Sequence, residues 1–154
     1  MRINRSGNFV LRGQTREQDY LNGLVKHINV NNGTYKAGFR VVDFRISSEN
    51  KTSAGECMGI VTLSEDAITG SADHWDWAEQ RQIAWASSDS QVTSIERDLF
   101  SLCDSSVVVV DELYVIVHHA AGTQYRVNYY LELEPVDLKA FEYAMNYIQN
   151  KSQG

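Results

Sequence analysis

From Tyr125 to Glu134 the chain alternates: Val127, Tyr129, Leu131 and Leu133 fall on one side, and Asn128, Tyr130, Glu132 and Glu134 on the other. A repeat of two belongs to a pleated strand, whose successive side chains point to opposite faces. This stretch therefore reads as a strand with one buried and one wet face, which is typical of antiparallel sheets.

The same reading extends along the chain. Leu24, Lys26, Ile28 and Val30 alternate with Val25, His27 and Asn29, and Asn32-Gly33 then leads into Phe39–Ile46, where Val42, Phe44 and Ile46 share a face. Asn-Gly supplies the positive φ angles of a tight primed turn, so these two runs are expected to pair as a hairpin. Cys57 to Leu63 is a short apolar run bounded by Gly55 and Ser64, as in a buried strand. Val107–Val110 and Leu113–Val117 are rich in β-branched residues and read as central strands. Trp75 alternates with Trp77, and Ile83 with Trp85, suggesting two strand pieces joined through Ala78–Arg81. Residues 47–55 and 64–74 are polar loops, and Ala120-Ala121-Gly122 breaks the chain before Tyr125.

Two helical signals interrupt this pattern. Ile95, Leu99 and Leu102 have the spacing of one helical turn within 94–102. Pro135 cannot donate to a ladder and is expected to end its strand. Asp137 then offers an N-cap for a helix over 138–149, with Leu138, Phe141, Met145 and Ile148 as its apolar stripe. The fold expected is mainly β: an antiparallel β-sandwich or jelly-roll-like barrel. Residues 1–19 form an extended N-terminal arm with a short strand, and 20–154 a single β-rich domain ending in the helix.

At 154 residues, with 43% hydrophobic and 22% charged residues, the chain needs neither disulfides nor a structural metal to sustain a core. Cys57 and Cys103 are far apart and outside any Cys-x-x-Cys spacing, so two buried free thiols are expected. No leader-like apolar segment and no run long enough to span a bilayer is present. The four Asn-x-Ser/Thr triplets, at Asn4, Asn32, Asn50 and Asn150, are read as chance.

Charge is split along the chain. Residues 1–51 hold nine Lys/Arg against four acids, and residues 52–154 hold five against sixteen. Either the two halves lie against each other within one domain, or a basic leader bearing Arg2, Arg5, Arg12 and Arg16 docks on an acidic neighbour. With a net charge of −6, nucleic acid is not an expected partner except through that arm.

Chemistry-bearing residues are few. His118 and His119 are adjacent and point to opposite faces of a strand, so one ion cannot readily take both. Asp73-His74-Trp75-Asp76-Trp77 gathers acids, imidazole and indoles. Acid/base catalysis needs partners positioned within hydrogen-bond reach, which proximity in sequence does not supply. The cluster suits a ligand platform better, with His74, Trp75 and Trp77 presented to a glycan or receptor. Core anchoring is the simpler role for the indoles, Trp85 above all. Phosphate-loop, dinucleotide, nucleophile-elbow and His-Glu-x-x-His patterns are absent from the sequence. No catalytic residue, metal ligand or cofactor is assigned.

Taken together, Leu11–Arg16, Gly38–Phe44, Trp77 with Arg81–Ala86, and Asn128–Glu134 give a layout that resembles small virion-associated structural proteins of environmental bacteriophages and related viruses. The resemblance implies a non-enzymatic capsid or capsid-associated component. Such a protein is made in the host cytoplasm and resides in the virion, in contact with copies of itself and other virion proteins. A carbohydrate- or receptor-binding sandwich module is the second expectation, and an enzyme with a divergent site the third.

Overall fold

A computed structural model describes residues 2–16, 26–30, 37–50, 55–68, 71–89 and 99–152. Nine strands are described: β1 (Arg2–Ile3), β2 (Phe9–Thr15), β3 (Lys26–Asn29), β4 (Ala37–Ser48), β5 (Glu56–Thr62), β6 (Gln82–Asp89), β7 (Leu99–Cys103), β8 (Glu112–His119) and β9 (Val127–Asp137). A single 3-10 turn (Glu65–Ala67) and one helix, α1 (Ala140–Ser152), complete the described elements. The strands form two antiparallel sheets: sheet A in the order β1-β2-β9-β4, and sheet B in the order β3-β8-β5-β6-β7. This is a β-sandwich with a C-terminal helix, the first of the two architectures expected.

Between the sheets, Val41, Phe44, Ile46, Leu131 and Leu133 of sheet A meet Val61, Ile83, Leu113, Val115 and Val117 of sheet B, all buried in one core. Each such side chain contributes on the order of 1.5–3 kcal/mol by leaving water. Two glycines allow this packing. A Cβ on Gly59 would lie 3.0 Å from the Phe44 ring, so a bare backbone lets the sheets close there. A Cβ on Gly13 would lie 2.5 Å from the Tyr129 hydroxyl; the ring lies across the glycine opposite it in the ladder.

Several expectations need correction. The leader is extended but not an outstretched arm: β2 pairs with β9 over seven residues, Phe9↔Leu133 through Thr15↔Val127. Asn4 organises the turn before β2, its Oδ1 accepting from Ser6 N (2.9 Å) and Asn8 N (3.0 Å). The Asn4 and Asn8 amides then clamp Glu132 of β9 at 2.8 and 3.0 Å. The apolar pattern was hidden because Gly13 stands where a third inward apolar residue after Phe9 and Leu11 would be. Residues 17–19 of the expected arm lie outside the described residues.

The expected hairpin does not form either. β3 pairs with β8 in sheet B, and β4 pairs with β9 in sheet A. Alternation and a turn dipeptide specify strands and a reversal; the partner of each strand is set by long-range burial. Leu24, Val25 and Asn32-Gly33 lie outside the described residues.

Val107–Val110 is a crossing segment rather than a central strand, tied to β4 by one bridge, Phe39↔Val109. That bridge explains why β9 runs through Pro135 to Asp137. Phe39 gives its N–H to Val109 O (2.8 Å) and accepts from Val109 N (2.7 Å), so its pair with Pro135 is a non-hydrogen-bonded one and the missing N–H costs no ladder bond. Because β9 continues, Asp137 is a strand residue. The side chain of Glu142 instead accepts from Lys139 N at 3.1 Å ahead of α1.

The helix is held differently from the expected stripe. Met145 and Ile148 are exposed, and Leu138 packs on Val108 and Val110 before the helix begins. Buried Asn150 donates to Val108 O (3.0 Å) and accepts from Val110 N (3.3 Å), satisfying backbone that the sheets leave over. Lys151 bridges Asp111 (3.2 Å) and Glu112 (3.1 Å). The side chain of Phe141 lies outside the described set. Leu99–Cys103 is strand β7 rather than part of a helical turn, and residues 94–98 are not among those described. Cys57 is buried; Cys103 is only partly buried, its thiol pushed up to about 11 by desolvation and by nearby Asp43.

Candidate functional site

Residues 63–68 and 71–81, between β5 and β6, lie over the outer face of sheet B. Ile68 and Ala72 from this cover, with partly buried Trp75, pack on Ile60, Trp85 and Ile116 of the sheet. The cover is pinned by polar groups. Buried Gln82 accepts from both Trp85 Nε1 and Asp76 N at 3.1 Å, and donates to Ala67 O at 3.0 Å. Arg81 makes a two-pronged contact with Glu79 at 2.9 Å and reaches Asp66 at 2.8 Å. These bonds hold the Glu79 carboxyl below its ordinary range. Asp66 is also lowered, first by the Ser64 hydroxyl and then by Arg81.

The cover contains the residues of the sequence-predicted platform, His74, Trp75 and Trp77, but not on a strand. Residues 71–80 form turns rather than a strand, so Trp75 and Trp77 do not share a face by alternation. Trp75 gives its indole N–H to Ala72 O at 3.0 Å and lies 5.5 Å from the Phe100 ring. Trp77 is 59% exposed and leans on buried Trp85 at 5.9 Å. His74 is exposed and joins Asp73 at 2.9 Å.

His118, on the outer face of β8, comes within 3.2 Å of the Ser71 hydroxyl and 3.9 Å of the Asp73 carboxylate. The Asp73 N–H lies 3.5 Å from the Ser71 hydroxyl, and the Asp73 carboxyl is held below its ordinary range, first by Ser71 and then by His74. His119 points the other way, as alternation requires. It is buried, its Nδ1 accepting from Ala121 N and its Nε2 lying 2.9 Å from Ser48 Oγ. Among the described residues, no group of three or more His, Cys, Asp or Glu is placed to hold a metal ion, and no helix is long and apolar enough to cross a membrane.

The arginines expected to form an assembly arm are spread over sheet A. Arg2 lies on β1 opposite Val10, Arg5 is exposed in the following turn, Arg12 is exposed on β2, and Arg16 follows β2 half-buried. The charge split is partly resolved inside the sheet, where acidic β9 lies between basic β2 and β4 and Arg40 sits 3.9 Å from Glu134.

A different feature was not singled out from sequence. β7 ends sheet B, and it exposes Leu99 (68%), Phe100 (38%) and Leu102 (42%). β4 ends sheet A beside it; Ser101 Oγ donates to Phe44 O at 2.6 Å across the gap. An apolar groove of about 410 Å³ lies between these two edges, lined by Ile46, Ser87, Leu99 and Phe100 among others. The leucines' helical spacing concealed the strand, and partly exposed apolar residues carry no sequence mark until the topology makes their strand an edge. No model of a known protein family matches this chain, and no curated protein matches it significantly.

Proposed function

We propose that this chain is a non-enzymatic structural subunit, a capsid or capsid-associated component of a virion, that assembles with its own copies and with other virion proteins. The reading is carried by the β7 edge. A terminal strand offers backbone groups for further pairing, and folded proteins commonly blunt such edges with charge, proline or a covering segment. Here the edge instead carries three exposed apolar side chains beside an apolar groove. Two copies meeting edge to edge about a two-fold axis would join the sheets and cover those side chains, because a symmetric interface uses the same patch twice. The leader is not a free arm that could reach a neighbour, since its backbone pairs within its own sheet, β1 with β2 and β2 with β9.

Sedimentation velocity on the full chain and on Leu99→Lys tests this. The native chain is expected to self-associate and to remain associated at ~0.5 M salt, where ionic contacts are screened. The variant should stay folded and monomeric. A native chain that is monomeric at every concentration, or association abolished by salt and untouched by Leu99→Lys, would overturn the proposal.

A further inference from the structure

The outer face of sheet A resolves into rows that run across its strands. Arg12 of β2 stands opposite Tyr130 of β9, and Tyr130 opposite Arg45 of β4. The adjacent row is Gln14, Asn128 and Ser47. Strands are spaced ~4.8 Å apart, so the two arginine Cα atoms stand roughly 10 Å apart with a tyrosine between them. These six residues line a groove of about 530 Å³, and two of them, Arg45 and Ser47, also line the groove beside β7.

The cations of this row are available. Arg12 is exposed and has no partner among the described residues. Arg45 uses its Nε on Asp43 at 3.1 Å, and its side chain is 74% exposed. The acids of the next row are already engaged: Glu132 holds the Asn4 and Asn8 amides, and Asp43 holds Arg45. In the polar row, Gln14 donates to Asn128 Oδ1 at 2.7 Å and accepts from Arg126 at 3.5 Å.

We infer that this groove binds a carboxylated saccharide: the carboxylate between Arg12 and Arg45, the apolar face of a sugar ring on Tyr130, and sugar hydroxyls on Gln14, Asn128 and Ser47. Each part follows from chemistry. Guanidinium forks match a carboxylate with paired, charge-assisted bonds. A partly exposed phenol ring offers flat apolar area with a polar tip. Amides and hydroxyls both donate and accept, as sugar hydroxyls require. A saccharide is favoured over single-stranded nucleic acid because the face pairs one aromatic ring with mixed polar groups on a chain of net charge −6. The inference does not require the edge-to-edge assembly, although Arg45 and Ser47 stand at the border of both surfaces.

Isothermal titration of the full chain decides it, with tetragalacturonate, its methyl ester, 3′-sialyllactose and an oligothymidylate as probes. At least one of the two acidic saccharides should bind, and tetragalacturonate should bind at least ~10-fold more tightly than its ester if it is the one that binds. Arg12→Gln and Arg45→Gln should each weaken the bound saccharide about tenfold, the size of one lost charge-assisted contact. Lys139→Gln, in a residue at the foot of α1, should leave binding unchanged. Circular dichroism should show every variant folded, because the substituted side chains are exposed. Binding of neither acidic saccharide, equal binding of acid and ester, insensitivity to both arginine variants, or tighter oligothymidylate binding through the same arginines would each overturn the inference.

Discussion

The two outer faces of the sandwich are treated in opposite ways. Sheet B is roofed by its own chain: Ile60, Trp85 and Ile116 point outward yet are buried beneath Ile68, Ala72 and Trp75. Sheet A carries no such cover among the described residues, and the corresponding outward row of β9 is Asn128, Tyr130, Glu132 and Glu134, none of them fully buried. A sheet covered on both sides tolerates continuous apolar strands, and a sheet with one wet face must alternate. The run Ile60-Val61 in β5 and the run Val115-Ile116-Val117 in β8 belong to the first kind, and β9 to the second. Consecutive burial along a strand therefore reports a second layer, and that layer is a loop rather than a third sheet.

The largest effect expected from this contrast comes from emptying the roofed face. Ile116→Ala removes a side chain that is 1% exposed and should cost about 2–5 kcal/mol in denaturant unfolding. A cost near zero would mean that the cover does not pack as described. Gln82→Leu comes next. It orphans Trp85 Nε1, Asp76 N and Ala67 O while keeping the apolar volume, and about 1–3 kcal/mol of destabilisation is expected with increased exposure of Trp75.

Acid should act on the same cover more gently. Glu79, Asp66 and Asp73 all have folded pKa values below their ordinary ones. A depressed carboxyl stabilises the fold above its unfolded pKa and loses that contribution as pH falls through its folded pKa. Tryptophan fluorescence should therefore be level near neutral pH and report loosening only below about pH 4. Loosening that begins near pH 6 would point to histidine instead. The smallest effect belongs to the outer face of sheet A, where Tyr130→Ser should change stability by no more than roughly 0.5–1 kcal/mol.

What the sequence disclosed follows from the range of each signal. Alternation marked β9 and β4, the apolar run marked β5, and Leu113–Val117 marked β8, because periodicity records burial that each strand carries locally. Strand partners were not legible: Asn32-Gly33 suggested a hairpin between strands that belong to different sheets. Pro135 looked like a stop, and only the Phe39↔Val109 bridge shows that no donor was needed there. The strand reading at Trp75 and Trp77 did not hold, because alternation in residue type does not make a turn into a strand. The Arg12-Tyr130-Arg45 row was beyond reach for a simpler reason: its members lie far apart in the chain, and strand register alone aligns them.

The most direct test of the assembly account is amide hydrogen exchange followed by residue as protein concentration rises. Exchange at Leu99–Cys103 should slow markedly on association, with the amides of β2 unchanged. Protection that appears on β2 or β3 while β7 stays open, or no concentration dependence at any edge, would contradict it.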